Sequence, residues 1–204
     1  VRLGWSHGDQ EIFSLDEMVQ LFDISDVNRA ASSFNTEKLL WLNQHYIKHS
    51  PVEHVAHHLN WHLGQLNIDA SEGPALSKVV ELLRERAKTL KELADSCQYF
   101  YRDIRDYDEK AARKHLAADS LPILEDILQR LNNLSDWQAT AIHHEVQDCA
   151  SAHEVGMGKV AQPIRVALTG NTVSPSLDVT LELVGRLRTE SAITAAIVWI
   201  KDHA

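Results

Sequence analysis

The chain has 204 residues, of which 44% are hydrophobic, and its formal net charge is −9 with the twelve histidines counted as neutral. This length allows one large domain or two small domains with real cores, and the composition is typical of a globular protein rather than a disordered one. The negative charge argues against a general polyanion binder but permits a specific one whose basic groups are concentrated locally. No apolar run is long enough to span a membrane, and no signal peptide opens the chain.

Apolar residues recur mainly at helical spacing, and few segments alternate as strands do. We therefore predict an all-α fold, with helical bundle or cage subdomains in series. Near the start of the chain, residues 14–17 read as a capping box that opens a short helix through Phe22. A second short helix is predicted over 27–32, and Asn35 is expected to cap a longer third helix.

Two further capping boxes follow. Residues 50–53 read as one of them, with the proline at the first helical position and an apolar stripe behind it. Thr89 is expected to open another helix in the same way, just after a run of basic residues. Three consecutive aromatic residues stand at 99–101, and the apolar signal lapses near Asp108, where we place a subdomain boundary.

The second half restarts after this boundary with a short helix through Leu116. Ser120 precedes the next helix, and Gln138 lies at the front of another that runs to about Ala152. A final helix is predicted from about Glu190. The segment 164–168 alternates as a strand would, but it has no partner strand, so it is predicted to be helical.

Residues 155–177 contain no Asp or Glu, although the chain as a whole is acidic. Gly156 and Gly158 are expected to break the preceding helix, Pro163 to lie near the front of the next helix, and Gly170 to end it. A loop of hydroxyl and amide side chains follows. A carboxylate-free surface rich in donors suits phosphates and the edges of bases.

Five segments together resemble the C-terminal region of bacterial glutamyl-tRNA synthetases. Two of them lie in or next to the carboxylate-free stretch, VGMGKVAQPIRVALTG at 155–170 and SPSLDV at 174–179. The others are VRLGWSHGDQEIFS at 1–14, FNTEKLLWLNQHYI at 34–47 and RERAKTLKEL at 84–93. They stand in the order that the family has, and they span nearly the whole chain.

The resemblance implies a tRNA-binding region whose parent enzyme joins glutamate to tRNA with ATP. In the family this region follows the domain that binds ATP and glutamate. This chain holds neither the HIGH-like phosphate motif nor the lysine-rich KMSKS-like loop of that domain. We therefore expect no catalytic residue and no cofactor within the chain, with ATP and Mg bound by the catalytic domain of the parent protein.

The resemblance also implies the organisation of the chain and its partners. Residues 1–49 are expected to complete a domain that contacts the tRNA stem, and 50–108 and 109–204 to form two helical anticodon-binding subdomains. The expected partners are the anticodon arm of glutamate tRNA and the catalytic domain of the same chain. We expect a monomer in the cytoplasm that does not bind membranes.

Arg86 falls where the family carries an arginine that reads the third anticodon letter. Some family members that charge two tRNAs have Gln there, so Arg indicates the discriminating type. From the sequence alone, a solvated face helped by the helix dipole is the more ordinary interpretation of this basic run. Within the same run, Arg84 and Lys88 are candidate phosphate contacts, as is Lys159 in the donor-rich stretch.

Gln162 and Arg165 match family positions near the anticodon, and an exposed helix face is an equally good interpretation of them. Ser174, Pro175 and Leu177 match the family's loop that meets the anticodon bases. The family often has Thr at position 174 and Gly at position 176, so this chain departs from it there. Exposed backbone, hydroxyl groups and apolar platforms suit single-stranded bases.

The histidines His54, His58 and His62 share one helical stripe, as metal ligands do, but no carboxylate or Cys completes a site. We therefore predict no metal site. The cysteines Cys97 and Cys149 are expected to be free thiols in a reducing cytosol. Two other functions stay open at this point, a helical protein–protein interaction module without RNA binding and a metal-dependent helical enzyme.

Overall fold

The computed structural model describes residues 4–28 and 34–203, and it divides the chain into two compact units, 1–43 and 44–204. The described residues form eleven α-helices and no strand, so the predicted all-α class is confirmed. The helices are α1 Leu15–Leu21, α2 Thr36–His49, α3 Val52–Gln65, α4 Leu76–Leu83, α5 Leu90–Ser96, α6 Glu109–His115, α7 Leu121–Asn133, α8 Ala139–Ala152, α9 Met157–Thr169, α10 Leu177–Val184 and α11 Arg186–His203. Short 3-10 helices lie at Ile24–Asp26, Ala70–Glu72, Arg84–Arg86, Gln98–Phe100 and Ala118–Ser120.

The first unit has a small aromatic core around Trp5, which is buried and lies 5.6 Å from the ring of Phe13. The predicted capping box at the start of α1 is confirmed, since Ser14 Oγ accepts from the Glu17 N–H and Glu17 accepts from the Ser14 N–H. The Lys38 N–H donates to Asn35 Oδ1, which confirms the cap of α2. The helix predicted over 27–32 is wrong at its start, because residues 27 and 28 are not helical and 29–32 lie outside the described residues.

The capping box predicted at 50–53 is wrong. Helix α3 begins at Val52, one residue later than predicted, and its N-cap is Pro51, which has no side-chain hydroxyl. Ser50 instead closes the preceding helix, because its N–H donates to the Tyr46 carbonyl at 2.9 Å. At the start of α5, Thr89 caps as predicted, but the Glu92 carboxylate accepts from the Lys88 N–H rather than from Thr89.

Helix α9 is largely buried in the second unit, and it lies against α6, α7, α8 and α11. The glycines predicted to break the preceding helix do not do so, because α8 already ends at Ala152. Gly156 is instead the N-cap of α9, and Gly158 lies inside its first turn, where a helical glycine costs only about 1 kcal/mol. Pro163 lies in the middle of α9 rather than near its front. Tertiary packing tolerates this proline, which is buried against the neighbouring helices.

Gly170 ends α9 in the left-handed conformation, with φ of +78°, as predicted. A Cβ atom at this position would lie 2.8 Å from the Asp106 carbonyl oxygen, so the segment before α6 passes directly over the helix end. The Asp108 N–H donates to the Gly170 carbonyl at 2.8 Å, and the Asp108 side chain caps α6. The last helix, α11, begins at Arg186, four residues before the predicted start at Glu190, directly after Gly185.

A continuous apolar core runs through the second unit from Ile47 to Ile200. Phe100 is fully buried in it, and the turn that carries Phe100 packs against α10 from the second half of the chain. The division of this region into subdomains 50–108 and 109–204 stays a prediction. No described helix is both long and apolar enough to cross a membrane.

Candidate nucleic-acid interface

One narrow polar strip interrupts the buried surface of α9. Gln162, Arg165 and Thr169 recur at helical spacing on the same face of α9, whereas nearly every other residue of its last two turns is buried and apolar or small. Because α9 packs against four other helices, the backbone that carries this strip is held firmly. Gln162 and Arg165 are half-buried rather than freely solvated.

Arg165 fastens the loop between α9 and α10. Its Nη1 atom donates to Ser174 Oγ at 2.6 Å, to the Ser174 carbonyl at 3.0 Å and to the Pro175 carbonyl at 3.0 Å. Thr169 fastens the other end of the loop, because its hydroxyl donates to the Asn171 carbonyl at 3.0 Å. We call this arrangement the arginine clamp; it fixes the conformation of the loop at 171–176.

The loop residues predicted to contact the anticodon face the interior of the protein. Ser174 is 9% exposed, Leu177 is 8% exposed and Pro175 is also buried. The exposed side of the loop is formed instead by Asn171, Thr172, Val173 and Ser176. Val173 is 68% exposed, which gives the loop an apolar tip beside its amide and hydroxyl groups. A base that meets this loop would therefore first touch residues that the sequence analysis did not single out.

Arg86 and Arg165 lie close enough to interact electrostatically. Burial lowers the pKa of Arg165, and the nearby charge of Arg86 lowers it further. Arg86 lies on the exposed 3-10 turn Arg84–Arg86, directly after α4. Within the described part of the chain, neither guanidinium forms an ion pair with a carboxylate. The charge of Arg86 thus acts on Arg165, and neither side chain has an ion-paired carboxylate among the described residues.

Three buried side-chain atoms in the described residues lack a hydrogen-bond partner, namely Tyr99 Oη, Gln162 Oε1 and Arg165 Nε. Buried polar groups are nearly always paired, so such exceptions call for an explanation. Gln162 is one turn from Arg165, and the pKa of Tyr99, which burial raises, is pulled the other way by the charges of Arg165 and Arg86. All three atoms therefore belong to the surroundings of the arginine pair.

The other predicted basic contacts are more dispersed. Arg84 is half-buried, and its Nη1 donates to the Ser50 carbonyl at 3.4 Å, so it ties the turn to the end of α2. Lys88 is exposed just beyond the turn. Lys159 is also exposed and lies 3.4 Å from Asp119, an ion pair too solvated to hold it tightly.

The histidine stripe lies on the outside of the second unit. His54 and His58 are exposed, with their rings 4.7 Å apart, and His62 is half-buried. They do not bring three ligand atoms together within the described residues. Cys97 and Cys149 are both buried free thiols, and burial raises the pKa of each to about 12.

A shallow groove of about 540 Å³ runs beside the clamped loop. Its lining includes Tyr99, Ile104, Thr169, Asn171 and Val173, together with charged residues of the segment 95–106. The run of aromatic residues at 99–101 was predictable from the sequence as a cluster. The position of Tyr99 between this groove and the arginine pair was not, because it depends on how the turn at Gln98–Phe100 packs.

Known proteins match this chain over its whole length. The chain is 55% identical over 203 residues to a glutamate–tRNA ligase of Nitrosococcus oceani, and the match covers 100% of this chain and 43% of that protein. A crystal structure of a glutamate tRNA ligase from Elizabethkingia meningosepticum has a TM-score of 0.85 at 30% identity, over 98% of this chain and 39% of that one. The corresponding enzyme of Elizabethkingia anophelis gives 0.81 at 32% identity, over 97% and 39%.

The chain thus spans less than half the length of each of these relatives. The family described as "Anticodon binding domain" matches residues 52–197, which include the 3-10 turn with Arg86, the arginine clamp and the loop after α9. The resemblance to glutamyl-tRNA synthetases is therefore confirmed, and the chain belongs to the anticodon binding domain family.

Proposed function

We propose that this chain recognises the anticodon arm of glutamate tRNA. The observation that carries the proposal is the pair Arg86 and Arg165, two neighbouring guanidinium groups without a carboxylate partner in the described residues. Cations that a fold holds together in this way favour an anionic or acceptor-rich ligand. RNA offers both, through its phosphates and through the carbonyl and ring-nitrogen acceptors of its bases.

The two arginines have different roles in this proposal. Arg86 is exposed, and its planar donor fork is available for a base. Arg165 shapes the loop, while the loop surface at Asn171–Ser176 offers backbone, hydroxyl and apolar contacts to unstacked bases. Ser174, Pro175 and Leu177 then support the recognition surface from below, and Gln162 extends it along α9.

Arg86 is the residue that we assign to the third anticodon letter. Glutamate and glutamine anticodons differ there, C against G. Cytosine presents a ring nitrogen and a carbonyl oxygen as acceptors, which a donor fork can meet. On its Watson–Crick edge, guanine has a ring N–H and an amino group where cytosine has those acceptors, so it faces the donors of Arg86 unfavourably there, and it is also larger.

The acidic net charge of −9 favours specificity over general RNA binding. Phosphate contacts from Arg84, Lys88 and Lys159 would add affinity by releasing counterions from the RNA. This contribution becomes smaller as the salt concentration rises. Random RNA lacks the base contacts and faces the acidic remainder of the surface. We therefore infer a focused site rather than an extended basic face.

The activity of the whole protein is also a proposal, and it rests on the relatives. Because the matched relatives are glutamate–tRNA ligases, we infer that this region serves an enzyme that joins glutamate to tRNA with ATP and Mg in a catalytic domain of the same chain. We propose that the protein is monomeric and acts in the cytoplasm. Nothing in the structure or the comparisons favours a protein–protein interaction module without RNA binding.

An NMR titration with the anticodon stem-loop of glutamate tRNA tests the proposal. Amides of the loop 171–176, of the turn at 84–86 and of Tyr99 should shift, and the affinity should fall steeply between low and moderate salt. A stem-loop with a scrambled loop sequence is the matched control. Equal binding of both stem-loops, or shifts confined to the histidine stripe of α3, would exclude the proposed site.

A further inference from the structure

A second group of reactive side chains lies where α7 meets the end of α8. Asp126 lies on α7, Cys149 on the last turn of α8, and His153 directly after that helix. One ligand atom from each lies within 4.8 Å of the others, and His153 Nε2 is 3.1 Å from Asp126 Oδ2. In the described part of the chain, this is the one group of three metal-capable side chains so close together.

The helices present these three side chains in a fixed way. Cys149 and His153 are four residues apart, so they share a face at the end of α8. Arg130, one turn after Asp126, donates from Nε to Asp126 Oδ1 at 2.9 Å and so turns Oδ2 toward His153. A neighbour that orients a ligating carboxylate is a usual part of metal sites.

The chemistry of the three groups suits one kind of ion. A thiolate sulfur, an imidazole nitrogen and a carboxylate oxygen are the three ligand types that zinc takes in proteins, and water commonly fills a fourth position. The charges also match. With the thiol deprotonated and the histidine neutral, Asp126, Cys149 and Glu145 supply three negative charges and Arg130 one positive charge, a net −2 opposite a divalent cation.

We propose that Asp126, Cys149 and His153 bind one zinc ion, which joins α7 to the end of α8. The ion enters between Asp126 and His153, whose side chains are about a quarter exposed, and Cys149 closes the site from the core. Zinc displaces the thiol proton and takes the place of the His153–Asp126 hydrogen bond. The site lies outside the arginine pair and the loop 171–176, and its role is structural.

The rival interpretation is a metal-free network in which Asp126 is shared by Arg130 and His153. Partial burial would raise the pKa of the Asp126 carboxyl, but hydrogen bonds from Arg130, Cys149 and His153, together with the charge of Arg130, hold it below its usual range. That network explains the positions of the carboxylate and the imidazole. The Cys149 thiol also interacts with Asp126, and its hydrogen bond to the Ile123 carbonyl is a weak one at 3.8 Å. Only a test of thiolate ligation therefore separates this network from a metal site.

Cobalt substitution separates the two interpretations. The chain is stripped with a chelator and titrated with Co²⁺, which gives a thiolate-to-cobalt charge-transfer band only where a cysteine ligates. Cys149→Ser should abolish the band and Cys97→Ser, the matched change at the other buried thiol, should leave it. Histidine-only binding on α3 produces no such band, so it cannot imitate this result.

Zinc competition against a chromophoric chelator then measures affinity and stoichiometry. We expect one zinc per chain, and His153→Gln should weaken binding by more than about tenfold while the metal-free protein keeps its melting temperature. His153 is half-buried at a helix end, so this variant tests the site without disturbing the core. A missing cobalt band, a band that survives Cys149→Ser, or equal zinc affinity for His153→Gln overturns the proposal.

Discussion

The 3-10 turn after α4 and the loop after α9 each depend on one arginine, and they use it in opposite ways. Arg86 lies on the surface of its turn and forms no ion pair or hydrogen bond among the described residues. Arg165 is half-buried, and three of its hydrogen bonds hold the loop. The same side chain is therefore an available donor in one region and a structural element in the other.

This difference indicates which residues meet a ligand directly and which ones prepare the surface. A donor fork that the fold leaves unused suits a reader of bases, because binding gives it its first partners. A fork that is already bound to backbone carbonyls suits positioning, because the loop loses its shape without it. Substitutions at the two arginines should therefore change different quantities, and the following predictions are arranged by the size of the expected effect.

Arg165→Ala should have the largest effect. It leaves the carbonyls of Ser174 and Pro175 without their donor, so we expect the free energy of unfolding to fall by about 2–4 kcal/mol. Every anticodon stem-loop should bind about 10- to 100-fold more weakly, with little change in preference among them. Denaturant unfolding and fluorescence-anisotropy titrations measure the two quantities.

Arg165→Lys is the matched control for this experiment. A lysine keeps the charge and can donate to some of the same acceptors, but not with a planar fork. It should recover part of the lost stability and part of the affinity. If Arg165→Ala leaves the free energy of unfolding unchanged but alters the relative affinities of the stem-loops, Arg165 contacts the bases directly, and the contrast with Arg86 disappears.

Arg86→Gln should reduce the preference for stem-loops whose third anticodon letter is C over those in which it is G by about tenfold. This change lies within the range of about 1–3 kcal/mol expected for one base contact. Glutamine can offer a donor or an acceptor, so it admits guanine as well. Stability should change by less than about 0.5 kcal/mol, since the side chain is exposed. Both stem-loops are titrated at one salt concentration.

Arg113→Gln is the control for Arg86, because Arg113 is an exposed arginine on α6 that lies outside the predicted interface. It should leave the ratio of affinities unchanged. An unchanged ratio in Arg86→Gln as well would return Arg86 to the role of a solvated charge at the end of a helix.

Tyr99→Phe should change stability and binding in opposite directions. The Tyr99 hydroxyl is buried without a partner in the described residues, so its removal should raise the free energy of unfolding by about 1 kcal/mol. If the stem-loop supplies the missing partner, its affinity should fall by about three- to tenfold. Tyr101→Phe is the comparison, because the Tyr101 hydroxyl already donates to the Pro74 carbonyl at 3.1 Å; that variant should lose stability.

Lys159→Ala should have the smallest effect. Its ion pair with Asp119 is exposed, so stability should hardly change. If Lys159 contacts a phosphate, the slope of log affinity against log salt should become shallower by about one, with no change in preference among stem-loops. A slope equal to that of the unmodified chain would remove Lys159 from the phosphate contacts.

The helical architecture was largely predictable, because local signals determined it. Ser14, Asn35 and Thr89 cap helices as their positions in the sequence indicate, and Gly170 ends α9 with the positive φ that favours glycine. Local signals failed where they compete. Pro51 and Ser50 carry the pattern of a helix start, but the end of α2 uses Ser50 first.

The candidate site was less predictable than the fold. The carboxylate-free stretch and the basic run identify the right segments of the chain. They cannot say that Ser174 faces inward, because its burial depends on an arginine nine residues earlier. They also cannot show that Tyr99 lacks a partner, since hydrogen-bond satisfaction is a property of the packed structure. The metal-capable group likewise joins Asp126 to a cysteine and a histidine more than twenty positions away.

The continuous core from Ile47 to Ile200 has a consequence for how binding can be observed. If this core unfolds as one cooperative unit, a ligand held at the arginine pair stabilises α3 and α11 as much as the loop it touches, because every residue shares one folding equilibrium. At a ligand concentration of about 100 times Kd, the gain is about 2.7 kcal/mol. Slowly exchanging amides in α3, which contact no RNA in this proposal, would then report occupancy of the anticodon site.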